Sequence, residues 1–210
     1  MSYLDTPAEA AARGDVARLY DADRVRQGYV ANLTKVFALR PDVFDAWVLL
    51  NTTIKAGMDL RRYELVTLAA ARRLRSSYCA LAHGAVLRDR FYDAPTLQEI
   101  AADHHRTGLD PADIAIMDFA DKTAGDATSI TAADINTLRQ HGLSDTDIIQ
   151  VVLAAAARCF FSTVLDAVGA EPDPQYRTRV EPGLRQVLTV GRPIAADDSR
   201  TAAAEEAHQG

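Results

Sequence analysis

The sequence predicts an all-α protein. Three observations carry that reading: helix-start signatures recur along the chain, apolar residues between them repeat at three- and four-residue intervals, and no run of alternating residues competes as a strand. Heavy use of alanine with modest β-branched content tilts the same way.

The elements follow in order. Thr6-Pro7-Ala8-Glu9 offers a hydroxyl cap, a proline at the first helical position and a carboxylate to close a capping box. Pro41 opens a stretch in which Val43, Phe44, Trp47, Val48 and Leu50 keep helical spacing until Gly57. Asp59 caps the next helix, through Leu65, Leu68 and Ala69, and Thr96-Leu97-Gln98-Glu99 reads as another capping box. Asp110-Pro111 starts a helix that Gly125 ends, and Thr131 starts a short one. Ser144 and Asp147 flank the start of the most apolar helix, from Asp145 to about Val168, closed by Gly169. From Pro172 the pattern thins. Residues 1–191 are expected to form one helical domain of hairpins around a single core, and residues 192–210, poor in large apolar groups, a disordered or loosely packed tail.

At 210 residues the chain is long enough for a core that needs no disulfide or metal staple. A net charge of −6 disfavours nucleic acid and anionic membrane surfaces as partners, since both demand clustered positive charge. No signal peptide is recognised, and no apolar run is expected to cross a bilayer. Two cysteines without an export signal suit a reducing, cytoplasmic setting.

The chemistry-bearing stretch runs from Glu64 to His83. Ser76 or Ser77 can cap a new helix and place Cys79 in its first turn, where backbone N–H groups and the helix dipole favour an anion. Arg72, Arg73 and Arg75 are expected to add positive potential. His83, four residues after Cys79, emerges on the same face. A base beside a thiol at a helix start generates thiolate near neutral pH, where a free cysteine of pKa ~8.5 is mostly protonated. Glu64 would lie about 22 Å from Cys79 along one unbroken helix, at 1.5 Å per residue. It joins the site only if the chain turns near Arg75–Ser77, where it would orient His83. Against this stand plain structural roles: a small core cysteine, a structural histidine and a surface carboxylate.

The remaining candidates read as structural. Cys159, beside Phe160 and Phe161 in an apolar run, is expected to be an inert core thiol. A zinc site at Cys79 lacks a second thiol, because Ser76 stands in its place. His104 and His105 are adjacent, so on a helix they would diverge by ~100° and not share a metal. His141 is expected at the surface and His208 in the tail. No metal and no cofactor is therefore expected. The two helices joined by Gln140–Ser144 resemble a helix-turn-helix superficially, but the second opens with Asp145 and Asp147 and continues as a core helix, which argues against DNA.

Glu64-x(11)-Ser76-x-x-Cys79-x(3)-His83 resembles the core motif of the AhpD and carboxymuconolactone decarboxylase superfamily, in which peroxidase members carry Cys-x-x-Cys at the central pair. The likeness extends from Val30-Ala-Asn-Leu33 and Ala38-Leu-Arg-Pro41 to Ala133–Asp145 and Val168–Pro172, which are similar to the peroxidase-related branch. The resemblance implies an all-helical AhpD-like fold, trimers or hexamers, and reduction of hydroperoxides by a cysteine. By position, Cys79 matches the attacking thiol, and His83 and Glu64 its proton-relay partners. Ser76 occupies the resolving cysteine's place and Tyr78 that of a histidine in some members, so a disulfide between positions 76 and 79 is impossible. What the resemblance leaves is a one-cysteine cycle: Cys79 becomes a sulfenic acid, Ser76 hydrogen-bonds it, and an external thiol restores it. The alternatives are a lyase of the decarboxylase branch and a non-catalytic oligomer that lost activity with the second cysteine.

Overall fold

The computed structural model describes residues 2–197. After a 3-10 turn at Glu9–Ala11, the chain forms α1 (Gly14–Gln27), α2 (Asn32–Phe37), α3 (Pro41–Ala56), α4 (Leu60–Arg73), α5 (Ser77–Arg90) and α6 (Ala94–Asp103). A second 3-10 turn, His104–Arg106, leads to α7 (Pro111–Asp126), α8 (Ala132–Gln140), α9 (Asp145–Ala167), α10 (Tyr176–Arg179) and α11 (Pro182–Leu188). No strand occurs among the described residues, in agreement with the all-α expectation.

Capping chemistry sets most starts where the sequence puts them. Asp59 accepts the Arg62 N–H at 3.0 Å, and Asp110 accepts that of Ala112 at 2.8 Å. Thr131 with Asp134 and Ser144 with Asp147 form reciprocal capping boxes. Two starts fall elsewhere. Glu9 does not close a box on Thr6 but pairs with Arg24 and Lys35 at 2.9 and 3.1 Å, and the first long helix begins only at Gly14. Helix α6 begins at Ala94 because Asp93 takes the Thr96 N–H at 2.9 Å; Thr96, the expected cap, lies inside the first turn.

Helix α4 is the centre of the fold. Every residue from Tyr63 to Ala71 is buried, Glu64 and Thr67 included, because α5, α7 and α9 surround the helix. Its alanines let the neighbours approach, while Leu65 and Leu68, fully buried, each contribute about 2 kcal/mol of apolar transfer. Asp113 of α7, also buried, ties the start of α4 through Arg61 and Arg62 at 2.6 and 2.9 Å.

Helix α9 is, by length and composition alone, apolar enough to cross a membrane, which the sequence reading did not expect of any segment. Half of that apolar window is buried against the fold, chiefly by α3, α4 and α7, and Arg158 sits on its inward face. Core packing accounts for its composition. Its outward side and the adjoining side of α3 remain apolar: Val48, Leu49, Leu50, Ile149, Leu153 and Phe160 are exposed, Leu49 by 70%.

The chain beyond Pro172 is more ordered than its composition suggests. Arg177 donates to the carbonyls of Ile194 and Ala195 at 2.7 and 3.2 Å, the Ala195 N–H donates to Pro172 at 2.9 Å, and both residues are buried. Of the segment expected as a loose tail, Ile194 and Ala195 are thus packed, while Pro193, Ala196 and Asp197 are exposed; residues 198–210, His208 included, lie outside the described residues.

Candidate active site

The site depends on the turn between α4 and α5. Leu74 caps α4, and Arg75 adopts the left-handed conformation, φ +56°. The Ser76 N–H then bonds to the Ala71 carbonyl at 2.9 Å and the Arg75 N–H to that of Arg72 at 3.0 Å. Those are the two bonds of a Schellman turn, with arginine where glycine is usual. The chain reverses there, and α5 returns along α4.

That reversal brings Glu64 to His83. His83 Nδ1 lies 2.5 Å from Glu64 Oε2, and the Lys55 ammonium of α3 holds the other carboxylate oxygen at 2.8 Å. Burial alone would raise the pKa of Glu64, but His83 and Lys55 override it and hold it down to about 2. Burial and then the nearby Arg158 lower the pKa of His83, with Glu64 opposing. A neutral imidazole beside an ionised carboxylate donates from Nδ1, which leaves the Nε2 lone pair as a base. Tyr63 packs edge-on against the ring with centroids 6.2 Å apart, and its hydroxyl donates to Asn51 at 2.7 Å.

Cys79 lies in the first turn of α5 and is 2% exposed. Its hydrogen bond comes not from His83 but from α9: Arg158 Nη1 donates to Sγ at 3.3 Å. Arg158 is itself buried, with no carboxylate partner among the described residues. Its guanidinium lies over the rings of Phe161 and Trp47, 5.4 and 6.0 Å from their centroids, and cation–π attraction offsets part of the desolvation. Burial opposes its charge; the Cys79 sulfur and Tyr63 compensate and keep its pKa above the ordinary value.

Arg158 therefore corrects the expectation placed on Arg72, Arg73 and Arg75. Arg72 donates to the Val187 carbonyl, Arg73 points to Asp121 at 3.9 Å, and Arg75 reaches the Val190 carbonyl at 3.4 Å. The sequence did carry a signal, a lone arginine in the most apolar helix, but separation by 79 residues hid its target.

The supporting serine and tyrosine hold different positions from those expected. Ser76 is the N-cap residue of α5, yet its buried hydroxyl makes no cap bond and has no hydrogen-bond partner among the described residues. Ser77 Oγ instead accepts the Gly191 N–H at 2.8 Å. The Tyr78 hydroxyl donates to Asp173 at 2.5 Å and accepts the Leu33 N–H at 3.1 Å, an α5-to-α2 tie that burial accompanies by pushing its pKa well up.

Cys159 is only half-buried, because Arg158 takes the inward direction and the next residue points ~100° around the helix. Both thiols are free. His141 is exposed, as expected. His104 and His105 are not divergent: the 3-10 turn brings their ring centroids to 4.3 Å.

Between α3 and α9 lies a groove of about 450 Å³ lined by Trp47, Leu50, Ile54, Leu153, Ala157 and Phe160. Trp47 stacks on Phe161 at 4.9 Å, so the groove lining lies over the Arg158 guanidinium. The arrangement combines a sulfur facing a cation, an oriented base and an apolar surface.

No protein-family model matches the chain, and no curated protein matches it by sequence. Solved structures do. An uncharacterized peroxidase-related protein with an alkylhydroperoxidase AhpD core, from Ralstonia eutropha JMP134, superposes with a TM-score of 0.75 at 24% identity, over 83% of this chain and 94% of its own. An uncharacterized peroxidase-related protein from Silicibacter sp. TM1040 gives 0.75 at 22% identity, over 83% and 93%. The debrominase Bmp8, as a cysteine-to-alanine variant with 2,3,4-tribromopyrrole, gives 0.71 at 13% identity, over 88% and 97%. The fold of this chain is the AhpD-like fold.

Proposed function

We propose that this chain is a thiol-dependent oxidoreductase that reduces hydroperoxides through Cys79. One observation carries the reading: a buried guanidinium, Arg158, with no carboxylate partner among the described residues, donates to a buried sulfur at 3.3 Å. Leaving a buried cation uncompensated costs several kcal/mol, and the anion that Arg158 faces is the Cys79 thiolate. The first turn of α5 supports the same charge with its N–H groups.

In this cycle the thiolate attacks the distal peroxide oxygen, an S–O bond forms and the O–O bond breaks. His83 Nε2 takes up the Cys79 thiol proton as the thiolate forms, and the leaving alkoxide collects that proton from the imidazolium and departs as an alcohol. Cys79 is then a sulfenic acid. An external thiol attacks the sulfenic sulfur, water departs, and a second thiol releases Cys79 as a disulfide forms between the two reductants. Ser76 excludes internal resolution by its neighbour position, and Cys159 points away from Arg158's side of α9. The trimer or hexamer implied by the resemblance, and a reducing cytoplasm, belong to the same proposal; sedimentation checks the first.

One equivalent of an alkyl hydroperoxide is expected to give a dimedone adduct at Cys79, absent in Cys79→Ser, and turnover when thiol reductant is added. No adduct at Cys79, or an equal one in the serine variant, defeats the reading. Ser76→Cys is expected to speed turnover by adding a resolving thiol.

The aromatic groove favours a second reading. Trp47 and Phe160 would accept a flat halogenated ring, and a protein of the same fold is a debrominase. Bromide release from a brominated pyrrole, with two thiols oxidised per bromide, tests it in the same assay; release faster than peroxide turnover would favour it.

A further inference from the structure

A second cluster of ligating groups lies on elements that contribute nothing to the thiol site. The 3-10 turn after α6 presents His104 and His105 side by side, with rings tilted by 30° and both Nε2 atoms aimed at Asp118 of α7. His104 Nε2 lies 2.8 Å from Asp118 Oδ1, and His105 Nε2 lies 2.9 Å from Oδ1 and 3.1 Å from Oδ2. The three donor groups fall within 4.8 Å of one another.

From this geometry we infer that His104, His105 and Asp118 form a binding site for one borderline divalent transition ion, of the zinc, nickel or cobalt class. Ligands at about 2.0–2.1 Å around a tetrahedral ion stand roughly 3.3 Å apart, so movements of a few tenths of an ångström convert the present contacts into coordination. Two imidazoles with one carboxylate suit such ions rather than magnesium or calcium, which take oxygen cages. Three protein ligands leave a position for water, and exposure of His105 gives the ion a path from solvent.

The surroundings of His105 favour a metal beyond mere proximity. Its other ring nitrogen, Nδ1, faces Asp103 Oδ1 at 3.2 Å, and Asp103 also accepts the His105 backbone N–H at 3.1 Å. A carboxylate behind a ligating histidine fixes the tautomer and the ring direction and makes the imidazole a better ligand. Arg106 holds the other oxygen of Asp103 at 3.0 Å, from the solvent side. The sequence concealed this site because adjacent histidines diverge on an α-helix, whereas the tighter turn that follows α6 aligns them. A bound ion would clamp that turn onto α7.

The test is a titration of the full-length, chelator-treated protein with cobalt chloride, read by visible d–d absorption, followed by displacement with zinc chloride. One cobalt per chain is expected, with a nitrogen- and oxygen-ligand spectrum that zinc abolishes. Affinity should fall at least about tenfold in His104→Ala and in Asp118→Asn, and about tenfold in Asp103→Asn, which keeps the backbone hydrogen bond. Circular dichroism establishes that each variant is folded, and Asp103→Asn decides the matter if His104→Ala is not. Absence of cobalt binding to the wild type, equal affinity in the wild type and folded variants, or a sulfur-to-cobalt charge-transfer band each overturns the assignment.

Discussion

Arg158 Nη1 donates to Cys79 Sγ at 3.3 Å, joining the middle of α9 to the first turn of α5. The guanidinium lacks a carboxylate partner among the described residues, so the sulfur is the group its charge acts on. A hydrogen bond to a charged group is worth about 1.5–3 kcal/mol. Arg158→Met removes it and keeps the apolar stem against Trp47 and Phe161. Alkylation of Cys79 at neutral pH is expected to slow by roughly 10- to 100-fold, as the bond's energy dictates. Removing one partner of a buried charge pair leaves the other uncompensated until the sulfur takes up a proton, so thermal stability is expected to fall as well. An unchanged alkylation rate would sink the role given to Arg158.

The buried Glu64–His83 pair makes stability fall on acidification. The pKa of His83 is lowered in the fold, so below about 6.5 the unfolded chain takes the proton first and stability drops with falling pH. Glu64, at about 2 in the fold against 4.5 ordinarily, adds a second decline as pH falls from 4.5 toward 2. The second limb is on the order of 3 kcal/mol when complete. Urea midpoints measured from pH 8 to pH 3 should show both limbs, and His83→Gln should flatten the upper one. A flat profile between pH 7 and pH 5 in the wild type contradicts the buried neutral imidazole.

Fold and site were legible to different degrees, for physical reasons. Helix starts at Asp59, Asp110, Thr131 and Ser144 are local chemistry, so the sequence displays them directly. Where two caps compete, as Asp93 and Thr96 do, the outcome depends on a proline that fixes the first turn, and reading the later residue misplaces α6. The Glu64–His83 contact was conditional on a reversal near Arg75, and the Schellman turn supplies it although no glycine announces it. Lys55 and Arg158 were invisible because their contacts cross 9 and 79 residues and no local period reports them.

Tyr78 offers a way to separate structure from chemistry at the site. Its hydroxyl bonds to Asp173 and Leu33, away from the Arg158–Cys79 contact. Tyr78→Phe leaves a buried carboxylate oxygen and an N–H without that partner, a cost of about 1–3 kcal/mol. Thermal unfolding should register the loss while the Cys79 alkylation rate stays within about twofold, since the charge-assisted bond to sulfur is untouched. A large fall in reactivity in a folded variant would place Tyr78 in the chemistry.

The reversal that assembles the site also docks the chain's far end, and the two contacts share one residue pair. Arg75 holds φ +56°, where a side chain costs on the order of 1–2 kcal/mol and glycine costs nothing. Arg75→Gly regains that strain, loses some unfolded-state order and the long Val190 contact, and should change stability by at most about 1 kcal/mol. Gly191 is different. A Cβ there would collide with the Arg75 carbonyl oxygen, a backbone atom that cannot move without disturbing the turn. Gly191→Ala should therefore destabilise by several kcal/mol or expel residues 189–195 from their dock, breaking the 2.8 Å bond to Ser77. Hydrogen exchange distinguishes the outcomes, because detachment exposes the Gly191 and Ala195 amides while α4 stays protected. Wild-type stability and protection in Gly191→Ala would mean that the segment does not approach Arg75 this closely, and that the turn stands without it.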